Sequence, residues 1–386
     1  MERWRPQHYK RRGDDLGVAP AILGNALATA AQTVAIDPRL PPVFTLRHLA
    51  YLAEADYTRL RAVAAREVED PYTVFRIRKA RQDGPTEEFR IICVPKPLLM
   101  QVQRWIAKEI LSRGRPHASS FAYADGSRIV SAAELHCGSR WLIKLDVRRF
   151  FESISEIAVY RVFRSLGYQP LVSFELARIC TRLKVTRSRG KLQRWQSDDE
   201  EYDAVPSYSK PFVGHLPQGA PTSPMLSNLA MRSFDEDVSA LAGRRGLVYT
   251  RYADDLCLST RSRRFTRDQA RGIVREVYRA MSRVGLSPNI SKAHIAPPGA
   301  RKVVLGLIVN DSQPRLTREF RNRLRQHLYY LLRSDIGPAQ HAENRGFASV
   351  QGLRNHVTGL IAFARQVEPV FAEGCEANLA AVRWPI

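Results

Sequence analysis

Two adjacent aspartates, Asp254 and Asp255, are the residues of this sequence best suited to chemistry. They follow Tyr252 and Ala253 within the stretch Leu247–Thr260, in which β-forming residues alternate with other types on both sides. This alternation predicts two strands joined by a tight turn, with both carboxylates at its tip. Neighbouring carboxylates repel each other unless a cation lies between them, and Mg²⁺ prefers hard oxygen ligands. The pattern indicates a metal site, although an ordinary surface turn also accommodates aspartate.

A third carboxylate, Asp146, stands at the end of the short apolar strand predicted from Trp141. A carboxylate in that position is costly unless it is paired or bound to a metal. Phe151 follows five residues later and could pack under a sugar ring and exclude a 2′-hydroxyl; alternatively, it belongs with Phe150 to the core. The segment Tyr123–Asp125 repeats the first three residues of the other turn, but glycine follows it, so an ordinary turn is predicted there.

A loop of small residues lies between these carboxylates, in the stretch Leu216–Leu229 with the sequence LPQGAPTSPMLSNL. Small residues around Gly219 allow the backbone to approach a ligand closely, and Gln218 would project into the same space. A helix is predicted from Ser223–Pro224, with the serine as cap and the proline at the first helical position. A plain loop that starts a helix is the alternative.

Basic side chains recur near these segments. The stretch Val74–Pro95 predicts a β-hairpin with Lys79 and Arg90 on paired strands, where they could grip a triphosphate or form a solvated basic face. Lys292 lies in a stretch that leads from a loop into a strand near the predicted site. The helix predicted at Thr266–Val284 carries arginines every four residues, a row that could follow a phosphate backbone or remain solvated.

The composition limits the classes of partner. The chain has 386 residues, enough for two or three subdomains, and a formal charge of +22, which points to a polyanion such as nucleic acid. No apolar run is long enough for a spanning helix and no signal peptide is evident, so a cytosolic compartment is expected. The widely spaced cysteines predict buried apolar side chains rather than zinc ligands or disulfides: Cys93, Cys137, Cys180, Cys257 and Cys375.

The remaining pattern suggests how these residues are arranged. Residues 1–44 predict an extension with one helix at Ala19–Ala35, and residues 184–211, basic and then acidic, predict a flexible insertion. After Pro314 the chain is predicted to be helical to its end, with blocks at His356–Glu368 and Val370–Val382. Three aspartates around a pair of metal ions can support an in-line displacement at phosphorus. A sheet that carries them, with a helical module to hold a duplex, would suit that chemistry.

On these residues the chain resembles reverse transcriptases, and among them the bacterial retron-type enzymes. Asp146, the loop Leu216–Leu229 and the box Tyr252–Asp255 match three family motifs in order and spacing. The resemblance implies an α+β right-hand polymerase fold. Its fingers would span residues 45–140 and its palm 141–314, of which 155–245 would be partly fingers or insertion, and a helical thumb would span 315–386.

The resemblance also implies roles for single residues. Two Mg²⁺ ions would be held by Asp146, Asp254 and Asp255, the catalytic residues, together with Val147. The residues implied to contact the nucleotide are Lys79, Arg90, Phe151, Gln218, Gly219 and Lys292. The residues implied to contact template or primer are Tyr252, Pro217, Ser223, Arg271, Arg275, Arg279, Arg321 and Arg325.

The implied activity is RNA-directed DNA polymerisation with dNTPs on a structured non-coding RNA, in bacterial antiviral defence, with an effector or accessory protein as a further candidate partner. Two motifs depart from the retron pattern. Ala132–His136 lacks the asparagine of the upstream NAxxH box, and Leu305 replaces the threonine of VTG. Another defence-associated reverse transcriptase, a relative of group II intron enzymes and a catalytically idle RNA-binding scaffold therefore remain alternatives.

Overall fold

The computed structural model describes residues 4–68, 70–78, 89–124, 126–183 and 213–385. Two helices open the chain, α1 (Pro6–Asp15) and α2 (Pro20–Ile36), so the prediction of a single helix in this extension was wrong. Each begins at a proline, whose fixed φ suits the first helical position. Gly13 allows α1 to pack closely on α2, because a Cβ there would lie only 2.3 Å from Leu23 Cδ2.

The next region contains two short helices and the predicted hairpin. Helix α3 (Leu46–Leu52) and helix α4 (Tyr57–Ala64) are each capped by the preceding polar side chain. Strands β1 (Tyr72–Arg78) and β2 (Phe89–Pro95) pair in antiparallel fashion, which confirms the hairpin. Helix α5 (Pro97–Trp105) then continues into a π-helical turn, Ile106–Ile110, and a 3₁₀ turn, Leu111–Arg113, so this helical segment is irregular at its end.

An antiparallel sheet of four strands lies at the centre of the chain. Its strands are β3 (Trp141–Asp146), β4 (Val248–Tyr252), β5 (Asp255–Thr260) and β6 (His294–Ala296), in the order β4-β5-β3-β6. Successive side chains of a strand point to opposite faces. One face of β3 therefore carries Leu142, Lys144 and Asp146, and the other carries Trp141, Ile143 and Leu145.

Helices cover the face of the sheet opposite Asp146. Ile143 and Leu145 share one large core with Ile273 and Val277 of the helix that follows β5. That helix begins at a capping box, formed by Thr266 with Gln269. The helices of this part of the chain are α6 (Ile129–Glu134), α7 (Phe150–Ser153), α8 (Glu156–Ser165), α9 (Pro170–Cys180), α10 (Ser223–Ala230), α11 (Arg232–Arg244) and α12 (Arg267–Arg283). The insertion predicted at 184–211 lies outside the described residues.

A second, smaller core joins the other face of the sheet to the C-terminal helices. It includes Leu142 and Cys257 from the sheet with Leu324 and Val357 from the helices. Three two-residue strands precede these helices and pair in antiparallel fashion: β7 (Val303–Val304), β8 (Leu307–Ile308) and β9 (Arg315–Leu316).

The C-terminal helices are α13 (Arg318–Leu332), α14 (Gly337–Asn344), α15 (Val350–Val367) and α16 (Pro369–Ala380). Two of them match the predicted helical blocks, although α15 begins six residues before the predicted start at His356, where Ser349 caps it. Helix α14 lies within the region predicted to be helical after Pro314, although no separate block was predicted for it. All five cysteines of the chain are buried and unpaired, as expected. Among the described residues, no helix combines the length and the apolar character that crossing a bilayer requires.

Candidate active site

The two adjacent aspartates lie at the tip of the β4–β5 hairpin, as predicted. Tyr252 of β4 pairs with Asp255 of β5, and Ala253 and Asp254 form the turn between them. Ala253 has φ of +55°, a left-handed conformation that costs a side-chain-bearing residue about 1–3 kcal/mol. The turn is therefore strained, and other contacts must hold it in place.

Asp146 lies directly beside this turn. Antiparallel pairing of β3 with β5 places Asp146 opposite Asp255, and the backbone N–H of Val147 donates to the Asp254 carbonyl over 3.0 Å. Directly opposed residues in such a ladder have Cα atoms roughly 4.5–5.5 Å apart. Asp146 is distant in the sequence from the adjacent Asp254 and Asp255, yet the three carboxylates thus meet at one end of the sheet.

Asp146 is buried and already has polar partners. Its Oδ1 accepts a hydrogen bond from Asn289 Nδ2 over 2.8 Å, and its Oδ2 pairs with Lys292 Nζ over 3.0 Å. Lys292 lies in a short 3₁₀ turn, Ile290–Lys292, which brings it to the carboxylates as predicted. Burial alone would lower the pKa of Lys292, but its hydrogen bond to Asp146 and the nearby carboxylates outweigh burial and raise it.

The carboxylates of the turn repel one another. Burial raises the pKa of Asp254, and the charge of Asp255 raises it further. Burial is also the main cause of the raised pKa of Asp255, to which the charge of Asp146 adds while Lys144 and Lys292 oppose it. The cluster therefore carries uncompensated negative charge, which a bound cation would relieve.

The donor types suit a divalent cation, since carboxylate oxygens are the ligands that Mg²⁺ prefers. Val147, predicted as a further ligand, directly follows Asp146 in the chain and could bind a metal only through its backbone carbonyl. Within the described ranges, however, the side chains are not yet arranged as a formed metal site: no group of three or more acidic, histidine or cysteine side chains is placed to hold an ion. The residues fit the metal in their chemistry, while the Lys292 ammonium now occupies one oxygen of Asp146.

The small-residue loop is attached to the β1–β2 hairpin. The Gln218 carbonyl accepts a hydrogen bond from the Cys93 N–H over 2.7 Å. Gly219 has φ of +110°, and a Cβ there would lie 2.8 Å from Ile92 Cγ2, so only glycine allows this approach. The prediction of Ser223 as helix cap was wrong, because α10 begins at Ser223 itself and the hydroxyl donates to the Pro217 carbonyl over 2.7 Å.

The structure describes some of the residues predicted to contact the nucleotide and not others. Arg90 is exposed on β2, whereas Lys79 lies outside the described residues. Phe150 is buried in the core, and Phe151 is only half-buried against it, with ring centroids 5.5 Å apart. One of the two aromatics thus belongs to the core, as the sequence suggested.

The arginines predicted to contact template or primer lie in two places. Arg271, Arg275 and Arg279 are exposed on α12, the helix that covers the sheet face opposite Asp146. Arg321 of α13 forms an ion pair with Glu368 over 2.5 Å, and Arg325 lies over the Phe371 ring. None of these placements tests nucleic-acid contact, so all five roles stay predictions.

Comparison with known proteins decides the family. A family model described as reverse transcriptase (RNA-dependent DNA polymerase) matches residues 77–309, well over half of the chain. The chain belongs to the reverse transcriptase family. Its helices and antiparallel sheet accordingly form a right-hand polymerase fold, and its activity is RNA-directed DNA polymerisation.

Known relatives of this reverse transcriptase confirm the retron resemblance. Retron Ec86 reverse transcriptase of Escherichia coli is 29% identical over 71% of this chain and 75% of that protein. Retron Ec83 reverse transcriptase of the same species is 29% identical over 79% of this chain and 86% of that protein. Retron Mx162 reverse transcriptase of Myxococcus xanthus is 31% identical over 57% of this chain, but the match spans only 44% of that protein.

Several residues that shape the active site of this reverse transcriptase were not found from the sequence. Asn289 bonds Asp146 from 143 residues away, and no local pattern indicates such a partner. Asp235, fully buried on α11, pairs with Arg251 next to the catalytic turn. A charged residue on the apolar stripe of a helix was the available signal for Asp235, because such a residue is rarely buried without a partner.

Proposed function

We propose that this reverse transcriptase copies a cognate structured non-coding RNA into DNA, as part of a retron in bacterial antiviral defence. The observation that carries the catalytic part is the pairing of Asp146 with Asp255 across β3 and β5, which brings three carboxylates to the hairpin tip. The formal charge of +22 supports a nucleic-acid partner. Residues 45–140 would serve as fingers, 141–314 as palm and 315–386 as thumb.

Asp146, Asp254 and Asp255 would hold two Mg²⁺ ions, with the Val147 carbonyl as an additional ligand. With Mg²⁺ held there, these aspartates would supply a site at which a primer 3′-hydroxyl is activated and the charge of the leaving pyrophosphate is neutralised. Lys292 now bonds Asp146 and would contact the triphosphate instead once that carboxylate binds a cation. Arg90 would contact the triphosphate from the β1–β2 hairpin, together with Lys79. Incorporation of a nucleotide would then follow from in-line positioning at the hairpin tip.

The remaining residues would position the other reactants. Phe151 would pack under the sugar of the incoming nucleotide and exclude a 2′-hydroxyl. Gln218 and Gly219 would line the nucleotide site from a loop whose backbone is bonded to β2. Tyr252, Pro217 and Ser223 would contact the template or primer.

Changing Asp254→Asn together with Asp255→Asn should abolish DNA synthesis. Loss of the metal ligands removes several kcal/mol of transition-state stabilisation, so primer extension on an RNA template should fall by on the order of 10³-fold or more. RNA binding, measured by gel shift, should persist, because two negative charges are removed from a basic protein. Asp237→Asn, an exposed aspartate on α11, serves as the control and should leave synthesis unchanged.

Synthesis that survives the double change would contradict the catalytic assignment, and a wild-type protein that binds RNA without extending any primer would favour the idle scaffold. Sequencing the nucleic acid that co-purifies with the protein tests the retron part. A DNA strand copied from one small RNA supports it, and an unrelated mixture of transcripts contradicts it.

A further inference from the structure

The segment that leads to Tyr123 is tied to the catalytic hairpin. Arg251 of β4 donates its N–H to the Ser119 carbonyl over 2.7 Å and accepts from the Phe121 N–H over 2.8 Å. These bonds add a short parallel bridge to the edge of the sheet. The side chain of Asn228 then holds the Ala122 carbonyl over 2.6 Å. The backbone is therefore fixed relative to the catalytic turn up to the residue before Tyr123.

Tyr123 is an unfavourable residue for its position. Its φ of +61° lies in the left-handed region, where a side chain costs about 1–3 kcal/mol and glycine or asparagine would be ordinary. The residue as a whole is 44% exposed, so the strain is not offset by full burial in the core. Because its backbone is strained and it is half-exposed, Tyr123 contributes little to folding stability. The reason for an aromatic residue at this position must therefore lie in what its ring contacts.

The ring of Tyr123 faces the site where the nucleotide is expected. Its centroid lies 6.3 Å from that of Phe151, the aromatic expected to contact the sugar. Burial raises the pKa of Tyr123, and the charge of Asp254 raises it further while Arg90 opposes this effect. The phenol therefore lies within electrostatic reach of Asp254 in the β4–β5 turn and of Arg90 on β2.

We propose that Tyr123 forms an aromatic pair with Phe151 and packs against the sugar and base of the incoming nucleotide. This assignment rests on the proposed function and deepens it, because it adds a further nucleotide-binding residue to the nucleotide site. The flat ring supplies an apolar surface for the base and the sugar. Every base can stack on such a ring, because every base has a π-face. The strain at Tyr123 is then retained because this backbone conformation directs the ring towards the nucleotide site.

Tyr123→Gly separates this role from a structural one. Glycine adopts the same φ without strain, so the backbone should be kept while the ring is removed. The matched control is Glu54→Gly, because Glu54 is exposed and also left-handed, with φ of +53°. Both variants should have thermal midpoints within a few degrees of the wild type. Tyr123→Phe should behave as the wild type if the ring rather than the hydroxyl makes the contact.

The readout is equilibrium binding of dNTP to the enzyme on an RNA template with a dideoxy-terminated DNA primer, followed by steady-state kinetics with an extendable primer. Tyr123→Gly should raise the Kd and the KM for dNTP by roughly 5- to 150-fold, as removal of a stacking ring predicts, and lower kcat less. Glu54→Gly should change neither. An unchanged Kd for dNTP would overturn the assignment and leave Tyr123 as a turn residue.

A weaker affinity for the template–primer duplex with unchanged dNTP binding would also overturn it, because the ring would then contact the template strand. If the proposed function itself is wrong, the wild-type protein will extend no primer. That result is distinct from both outcomes above, because it needs no comparison with a variant.

Discussion

Arg251 lies between the catalytic turn and a fully buried aspartate. Its Nε and one terminal nitrogen each donate to Asp235 over 2.7 Å, a two-pronged pair with neither side chain exposed. The other terminal nitrogen donates to the Ala253 carbonyl over 3.1 Å. Since Ala253 is the strained residue of the turn, Arg251 stabilises the backbone that presents Asp254. At the scale of single residues, the guanidinium of Arg251 thus joins a buried carboxylate to the turn that presents the candidate catalytic aspartates.

Arg251→Met should destabilise the protein by roughly 3–5 kcal/mol, because it leaves the buried Asp235 carboxylate without its cation. Urea denaturation measures this loss. Adding Asp235→Asn should restore part of the stability, since the uncompensated charge is removed and the amide oxygen can still accept from Tyr249. Synthesis should stay low in the double variant, because the hydrogen bond to Ala253 is still missing. A single variant that loses less than about 1 kcal/mol would contradict this account.

At the scale of elements, His136 ties together the two strands of the catalytic hairpin. Its Nε2 lies 2.7 Å from Thr250 Oγ1 on β4, and its Nδ1 lies 2.7 Å from Ser259 Oγ on β5. Register places Thr250 and Ser259 opposite Cys257 and Val248, on the sheet face that also carries Asp255. The neutral imidazole satisfies both hydroxyls, and burial lowers the pKa of His136 to about 4.

Acid should destabilise this linkage. In the unfolded chain His136 has an ordinary pKa of about 6.5, so the unfolded state binds more protons between pH 6.5 and 4. The contribution of His136 to the free energy of unfolding is therefore fully retained above pH 6.5 and falls as the pH drops towards 4, by at most ~3 kcal/mol. His136→Gln does not titrate, so its unfolding free energy should depend less on pH across this window. Parallel pH profiles of the two proteins would contradict the assignment.

At the scale of the whole molecule, the sheet separates the three clustered carboxylates from a row of arginines. Arg271, Arg275 and Arg279 are four residues apart on α12, so they rise about 6 Å per step along its exposed surface. Because α12 covers the sheet face opposite Asp146, this row would contact nucleic acid outside the catalytic face. A structured RNA that extends beyond the template segment could meet both surfaces.

Arg275→Gln with Arg279→Gln should weaken binding of a long structured RNA and reduce the slope of log K against log salt by about 1 for each phosphate that is no longer neutralised. Primer extension on a short template–primer should be unchanged, because that duplex would end at the catalytic face. The matched control makes the same charge change on α4, with Arg59→Gln and Arg61→Gln. Reduced extension on the short duplex would mean that α12 contacts template or primer directly, and an unchanged salt slope would mean that the row binds no phosphate.

The sequence by itself determined the elements whose signals are local. The β4–β5 hairpin follows from alternation around Asp254, and the start of α12 follows from the Thr266 capping box, since both depend on residues a few positions apart. The meeting of Asp146 with this hairpin was expected from the residue types and from the family resemblance, because no local pattern links positions so far apart. Local patterns failed at Ser223, where a bond to Pro217 replaced the expected cap, and at α1, which forms in a polar stretch.

Only the tertiary structure decided what surrounds the carboxylates. Asn289 and Lys292 reach Asp146 across more than 140 residues, and Arg251 meets Asp235 on a separate helix. Tyr123 was predicted to lie in an ordinary turn, yet its ring faces Phe151 because strand pairing with β4 fixes the segment before it. Such contacts depend on strand register and on the packing of distant elements. Local sequence patterns, which relate residues two to four positions apart, do not encode either of these.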